Sequence, residues 1–300
     1  MPGQWYGLKD GVWRSPGRDN LAATVPDIQY GSVGNRPAVL TRPDATTTGP
    51  SVVPGTVMTG AQALSAVMAM APGPDGFRTL TGVRVTGGLT LDSPSHSSLR
   101  FDHCIFEGGI YAVNSFFGDP DAPSIWNEFR NCEFRGASSA GFVGGYARLL
   151  RCNLHRCADT LKPFMGMEVW ASWCHDLWQT TESHNDCIQI VSGVANGLIH
   201  YNNLSSFPAP DSPDPGVTSG VLQTGSVIAD IGPVVFRGNW IDGAAYALQP
   251  IPAAGGLYMV DYTFRDNRFG RGSQYGPHAS LGMADFDNSN VWDDTGLPVG

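Results

Sequence analysis

Phe264-Arg265-Asp266-Asn267-Arg268-Phe269 is one of seven versions of a single hexapeptide pattern. Phe101-Asp102-His103-Cys104-Ile105-Phe106 and Phe129-Arg130-Asn131-Cys132-Glu133-Phe134 are two others. Leu149 to Leu154, Ser172 to Leu177, Ile199 to Leu204 and Phe236 to Ile241 complete the set. Aligned on the last apolar residue, they place Cys104, Cys132, Cys152, His175, Asn202, Asn239 and Asn267 in one column, at gaps of 28, 20, 23, 27, 37 and 28 residues. A repeat of roughly 20–30 residues is the signature of a solenoid. Each copy reads as a strand, a sharp corner and a second strand, with Asn131, Gly238 and Asp266 where the corner needs left-handed backbone. One copy cannot bury its apolar face, but stacked copies bury a continuous core. Successive rungs at ~4.8 Å turn each column into a ladder of like residues. The reading is all-β: a right-handed parallel β-helix.

Composition agrees. Of the 300 residues 42% are hydrophobic, enough for one large core, while 38 glycines and 22 prolines serve many short strands and corners. The net charge of -9, with Lys9 and Lys162 as the only lysines, argues against nucleic acid, whose phosphates call for a basic face. No run reaches the ~20 apolar residues of a membrane span. Met1-Pro2-Gly3-Gln4-Trp5 lacks the basic-then-apolar order of a Sec signal. Three of the six cysteines share the ladder column, which marks them as buried free thiols, with Cys152 and Cys157 the pair best placed for an exception. No CxxC pair exists and the seven histidines are scattered, so no metal or other cofactor is expected.

Residues 1–57 form a Pro/Gly-rich extended N-terminal arm, whose Trp5, Tyr6 and Trp13 point to docking on another chain. Residues 58–78 hold a short capping helix: Thr59 is the N-cap, Leu64, Val67, Met68 and Ala71 form its stripe, and Pro72-Gly73 stops it. Such a helix plugs the open end of a solenoid. Residues 79–270 carry the rungs, and 271–300 form the C-terminal cap.

A second column recurs in Asp159-Thr160-Leu161-Lys162, Asp186-Cys187-Ile188-Gln189, Gly220-Val221-Leu222-Gln223 and Tyr246-Ala247-Leu248-Gln249. With Leu161, Ile188, Leu222 and Leu248 inward, alternation sends Lys162, Gln189, Gln223 and Gln249 outward. A row of amides with tryptophans nearby (Trp170, Trp173 and above all Trp178) suits glycan binding; the alternative is a solvated ladder that only stabilises the sheet. Asp159 and Asp186 hold equivalent places on adjacent rungs, where like charge raises one pKa and permits acid/base work. Lys162, Glu182 and His184 are close enough in sequence to join a catalytic cluster. Parity, however, sets the aspartates on Leu161's side of the strand or at the corner before it, where Asp commonly caps backbone amides. Phe207 to Gly216 reads as a surface loop that walls a groove.

Leu161-Lys162-Pro163, His184 to Gln189, Asp266 to Gly272 with Tyr275-Gly276-Pro277, and Val291 to Gly296 resemble pectate-lyase-like right-handed β-helix proteins. The resemblance is nearest to those of actinobacteria and of their tailed phages, spans roughly residues 40–298, and includes the lead-in Pro43 to Gly49. It implies the fold, and it implies two functions. One is a minor tail protein of a mycobacteriophage-type virion, assembled in the host cytoplasm and contacting cell-envelope polysaccharide. Residues 1–57 would then dock on other tail proteins, in a homo-oligomer for which a trimer is favoured. The other is a polysaccharide lyase or glycoside hydrolase, for which Asp159, Asp186 and His184 echo the Asp-Asp plus His pattern of polygalacturonases. Secretion by a bacterium is the alternative location.

Overall fold

A computed structural model describes residues 41–93, 95–112, 127–164, 166–180, 184–190, 197–214, 216, 218–225, 231–250, 260–282 and 284–299. Three parallel sheets of ten, eight and nine strands share the chain, and every strand inside a sheet pairs with its counterparts one rung before and after. The protein is a parallel β-helix. Each sheet is open, with an edge strand at both ends.

The hexapeptide builds the corner between the nine- and ten-stranded sheets. Its first apolar residue stacks as Phe101, Phe129, Leu149, Val169, Ile199, Phe236, Phe264 and Phe286. Its last stacks as Phe106, Phe134, Leu154, Cys174, Leu204, Ile241, Phe269 and Trp292. Phe101 and Phe129 lie 5.3 Å apart, and Phe106 and Phe134 5.2 Å, as the strand spacing requires of rings in one column. Asn131, Gly238 and Asp266 have positive φ as expected. So do His103, Arg151, Ala171 and Tyr201 at the same corner.

One register differs from the sequence reading. The pairing Leu154↔Cys174↔Leu204 makes Val169 to Cys174 the fourth copy, so Ser172 fills the column and His175 does not. Ser172-Trp173-Cys174-His175-Asp176-Leu177 ends on a leucine, and Cys174, small and apolar, hides the true frame three residues earlier. His175 turns outward, with Nε2 2.8 Å from Asn153 Oδ1 and its ring stacked 3.5 Å from Trp173.

The corrected column explains its residue types. The backbone N–H groups of Cys152, Ser172, Asn202 and Asn239 donate to Ser172 Oγ, Asn202 Oδ1, Asn239 Oδ1 and Asn267 Oδ1, at 2.9–3.0 Å. In the other direction Asn202, Asn239 and Asn267 donate through Nδ2 to the carbonyls of Val169, Ile199 and Phe236. Cys132 and Cys152 aim Sγ at the equivalent carbonyls of Phe101 and Phe129, 3.4 Å away. All six cysteines are buried and free, Cys152 and Cys157 included. A buried corner leaves backbone groups that the sheets do not pair, and this column partners them.

The ends differ from expectation in extent. The helix covers Gly60–Met68, with Thr59 and Gln62 forming a capping box. Ala63 and Val67 face the core, and Leu64 and Met68 pack at its margin. Gly60 lies so close to the rungs that a Cβ there would stand 1.9 Å from the Gly88 carbonyl oxygen. At the other end an eighth copy, Phe286 to Trp292, extends the nine- and ten-stranded sheets, and its Asn290 joins the column through Asn267. The cap proper is a return of the chain, in which Pro298 bridges Val291 and Val299 is buried.

The arm boundary also moves. Residues 1–40 lie outside the described residues, but Arg42 to Thr59 runs along its own β-helix, crossing rungs in reverse chain order. Arg42 is 4.0 Å from Asp293. The Pro43 carbonyl accepts from Asn203 Nδ2, Gly49 N–H donates to Arg151 O, and Ser51 N–H donates to His103 Nδ1. Thr56–Thr59 then becomes the edge strand of the ten-stranded sheet, paired with Val83–Thr86.

Candidate functional site

The eight-stranded sheet carries the second column. Leu161, Ile188, Leu222 and Leu248 stack inward in register and are fully buried. Gln189, Gln223 and Gln249 pair directly, and Lys162 extends their row toward Val143 and Tyr111. All four polar side chains are half-buried on the outer face.

The aspartates do not follow the strand's alternation. Thr160 and Leu161 are both fully buried, so exposure does not alternate there. That break brings Asp159 to the same side as Lys162, whose Nζ is 2.9 Å from Asp159 Oδ2. One rung on, Gln189 Nε2 donates to Asp186 Oδ2 at 3.3 Å. Gln223, its amide nitrogen oriented by the donor–acceptor pattern, donates to Asp186 Oδ1 and Oδ2 at 3.0 and 2.8 Å. Parity in the sequence set the two aspartates on Leu161's side of the strand or at the corner before it, away from Lys162, and so missed their contact with the outward column.

Both carboxylates also serve the backbone. Asp186 N–H donates to Asp159 Oδ1 at 2.8 Å, and the Gly220 backbone stabilises the charged form of Asp186 in turn. This repeats the logic of the asparagine column: each side chain caps the amide of the next rung. Asp159 is 4% exposed and Asp186 is 0% exposed, which separates both from solvent. Burial raises the Asp159 carboxyl above its ordinary value, opposed by Lys162. Burial, reinforced by the charge of Asp159, pushes Asp186 well above the carboxylate range.

The remaining candidates are dispersed. His184 is exposed, and its described contact is Ser219 Oγ at 3.4 Å, not an aspartate. Glu182 lies outside the described residues. Trp178 is half-buried under the Arg156 guanidinium at 5.8 Å, and its carbonyl accepts from Asn185 Nδ2. Trp173 belongs to the ten-stranded sheet and Trp170, buried against His200, to the nine-stranded sheet. Nearness in sequence misled here, because a rung visits three faces in some twenty residues. The aromatics that the register ties to the amide column are tyrosines: Tyr111 toward one end, and Tyr246 with Tyr275 at the other.

The loop from Phe207 to Asp214 packs on the segments that lead from the ten-stranded sheet to the eight-stranded one. Leu177 and Pro208 form a bridge, Ser212 bonds Gln179, and Arg156 pairs with Asp211 at 2.8 Å. Among the described residues no cluster of three or more His, Cys, Asp or Glu is arranged to hold a metal ion, and no helix is long and apolar enough to cross a membrane. No protein-family model and no curated protein matches the chain.

Proposed function

We propose that this β-helix is a virion tail protein that contacts a host cell-surface polysaccharide through the outer face of its eight-stranded sheet. The observation that carries the binding role is the unbroken row Lys162, Gln189, Gln223 and Gln249, seated on carboxylates engaged as backbone caps. An amide offers donor and acceptor together, as a sugar hydroxyl does. Its orientation is fixed before binding, because Gln189 and Gln223 are held by Asp186 and Gln249 Nε2 by the Ser219 carbonyl. The virion location rests on the sequence resemblance, and so do the partners of the N-terminal residues and the trimer.

The test is binding to intact host envelope. Gln189→Ala combined with Gln223→Ala removes hydrogen bonds worth about 0.5–1.5 kcal/mol each. Binding should fall about fivefold or more in this double variant. Equal binding by the double variant would place the ligand elsewhere.

A second reading, polysaccharide cleavage, is favoured by one observation: two buried carboxyls on adjacent rungs with raised proton affinity. It requires turnover that collapses in Asp159→Asn or Asp186→Asn by ~10²–10⁴-fold. Such a collapse would make the face an active site.

A further inference from the structure

We propose that the ligand of this face is an uncharged, hydroxyl-rich polysaccharide, with Tyr246 and Tyr275 as the platform on which one of its sugar rings stacks. This rests on the binding role proposed above and specifies it.

Charge sets the class. Across the described strands of the eight-stranded sheet there is a single lysine or arginine, Lys162, and Asp159 already pairs with its ammonium at 2.9 Å. Beneath the amides lies Asp186, held by Gln189 and Gln223. The whole chain carries a net charge of -9. A uronate or sulfated glycan would find no free cation on the described strands of this sheet, whose single ammonium is already paired, so electrostatics disfavour it and leave neutral sugars unpenalised. A nucleic acid strand is disfavoured for the same reason.

Geometry sets the platform. Tyr246 takes the corner position of Asp186 and Gly220, in direct register with Gly220. Gln249 follows it by three residues. The same offset joins Lys162 to Asp159 and Gln189 to Asp186. Tyr275 N–H donates to the Ala245 carbonyl, which fixes the backbone of the next rung beside Tyr246. The two rings lie 5.5 Å apart at 46°, and Tyr275 is 62% exposed. An exposed ring backed by a second ring, at the end of an amide row, offers an apolar plane for a sugar face. The amides repeat at the strand spacing, ~4.8 Å per rung, so a glycan chain lying along the axis meets one amide on each rung.

The experiment measures binding of the full chain to dextran and arabinogalactan as uncharged probes, and to polygalacturonate and alginate as acidic ones, at low and high salt. The uncharged probes should bind with little salt dependence. Tyr275→Ala should weaken them about three- to tenfold and Tyr275→Phe should not, since the ring is what stacks. A circular-dichroism melt of each variant establishes that the exposed side chain was removed without unfolding. Tighter binding of the acidic probes, or an unchanged affinity in Tyr275→Ala while the glutamine double variant loses binding, overturns this inference and leaves the binding role standing. Binding of no probe by the folded wild type overturns both.

Discussion

Asn239 shows what a single residue does in this molecule. Its Oδ1 accepts from the backbone N–H and from Nδ2 of Asn202, and its own Nδ2 donates to the Ile199 carbonyl, with no part of it exposed. Truncation orphans a buried donor, at about 1–3 kcal/mol. Asn239→Ala should therefore lower the urea midpoint at unchanged m-value, whereas a loss under about 0.5 kcal/mol would mean that the corner amides find other partners. Asp186 makes a prediction in pH. Its folded pKa lies well above the ordinary carboxylate value because of burial and the charge of Asp159. Between those two values the folded chain binds a proton that the unfolded chain does not, so its contribution is complete at low pH and is lost as pH rises through the window. Asp186→Asn lacks this loss and should gain in melting temperature relative to wild type as pH is raised. Parallel curves would show that Asp186 ionises as freely folded as unfolded. Residue types were legible in the column because Asn and Cys recur there, and the frame slipped only at Ser172, where Cys174 stands for a larger apolar residue.

The capping helix and the Arg42 to Thr59 segment make their predictions as elements. Thr59 accepts from Gln62 N–H, and Gln62 Oε1 accepts from Thr59 N–H, so both ends of the capping box are present. Thr59→Ala should cost about 0.5–2 kcal/mol, read by thermal or denaturant melts. No change would mean the helix is held by Ala63 and Val67 alone. The leading segment separates two truncations. A chain starting at Arg42 keeps the contacts to Asn203, Arg151 and His103. A chain starting at Gly60 loses those contacts and the edge strand Thr56–Thr59, and should melt several degrees lower. Equal melting of the two would mean the segment adds nothing to the fold. The helix was readable from its cap and stripe, but the leading segment was not. Its bonds run mostly from backbone groups to distant rungs and leave no periodicity in Pro43 to Gly55. The eighth copy was hidden for a related reason: Asp287-Asn288-Ser289 lengthens the corner by one residue, and the rung before it is interrupted by glycines.

At the scale of the whole molecule, one repeat creates three faces, and the chain visits all of them in every rung. That is why the fold could be read from seven hexapeptides while the site could only be read in part. Lys162, Gln189, Gln223 and Gln249 share an offset and were found together. Trp170 and Trp173 are neighbours in sequence but lie on different sheets, with Trp178 outside both, and Tyr275 reaches the amide row only through the register of the last rungs. The central claim is that the eight-stranded sheet is the ligand-bearing face. The most direct measurement is a crystal structure of the protein soaked with an uncharged oligosaccharide. The account predicts sugar hydroxyls within hydrogen-bonding reach of Gln189, Gln223 and Gln249 and a ring against Tyr275. A sugar seated on another sheet, or found cleaved beside Asp159 and Asp186, would contradict it.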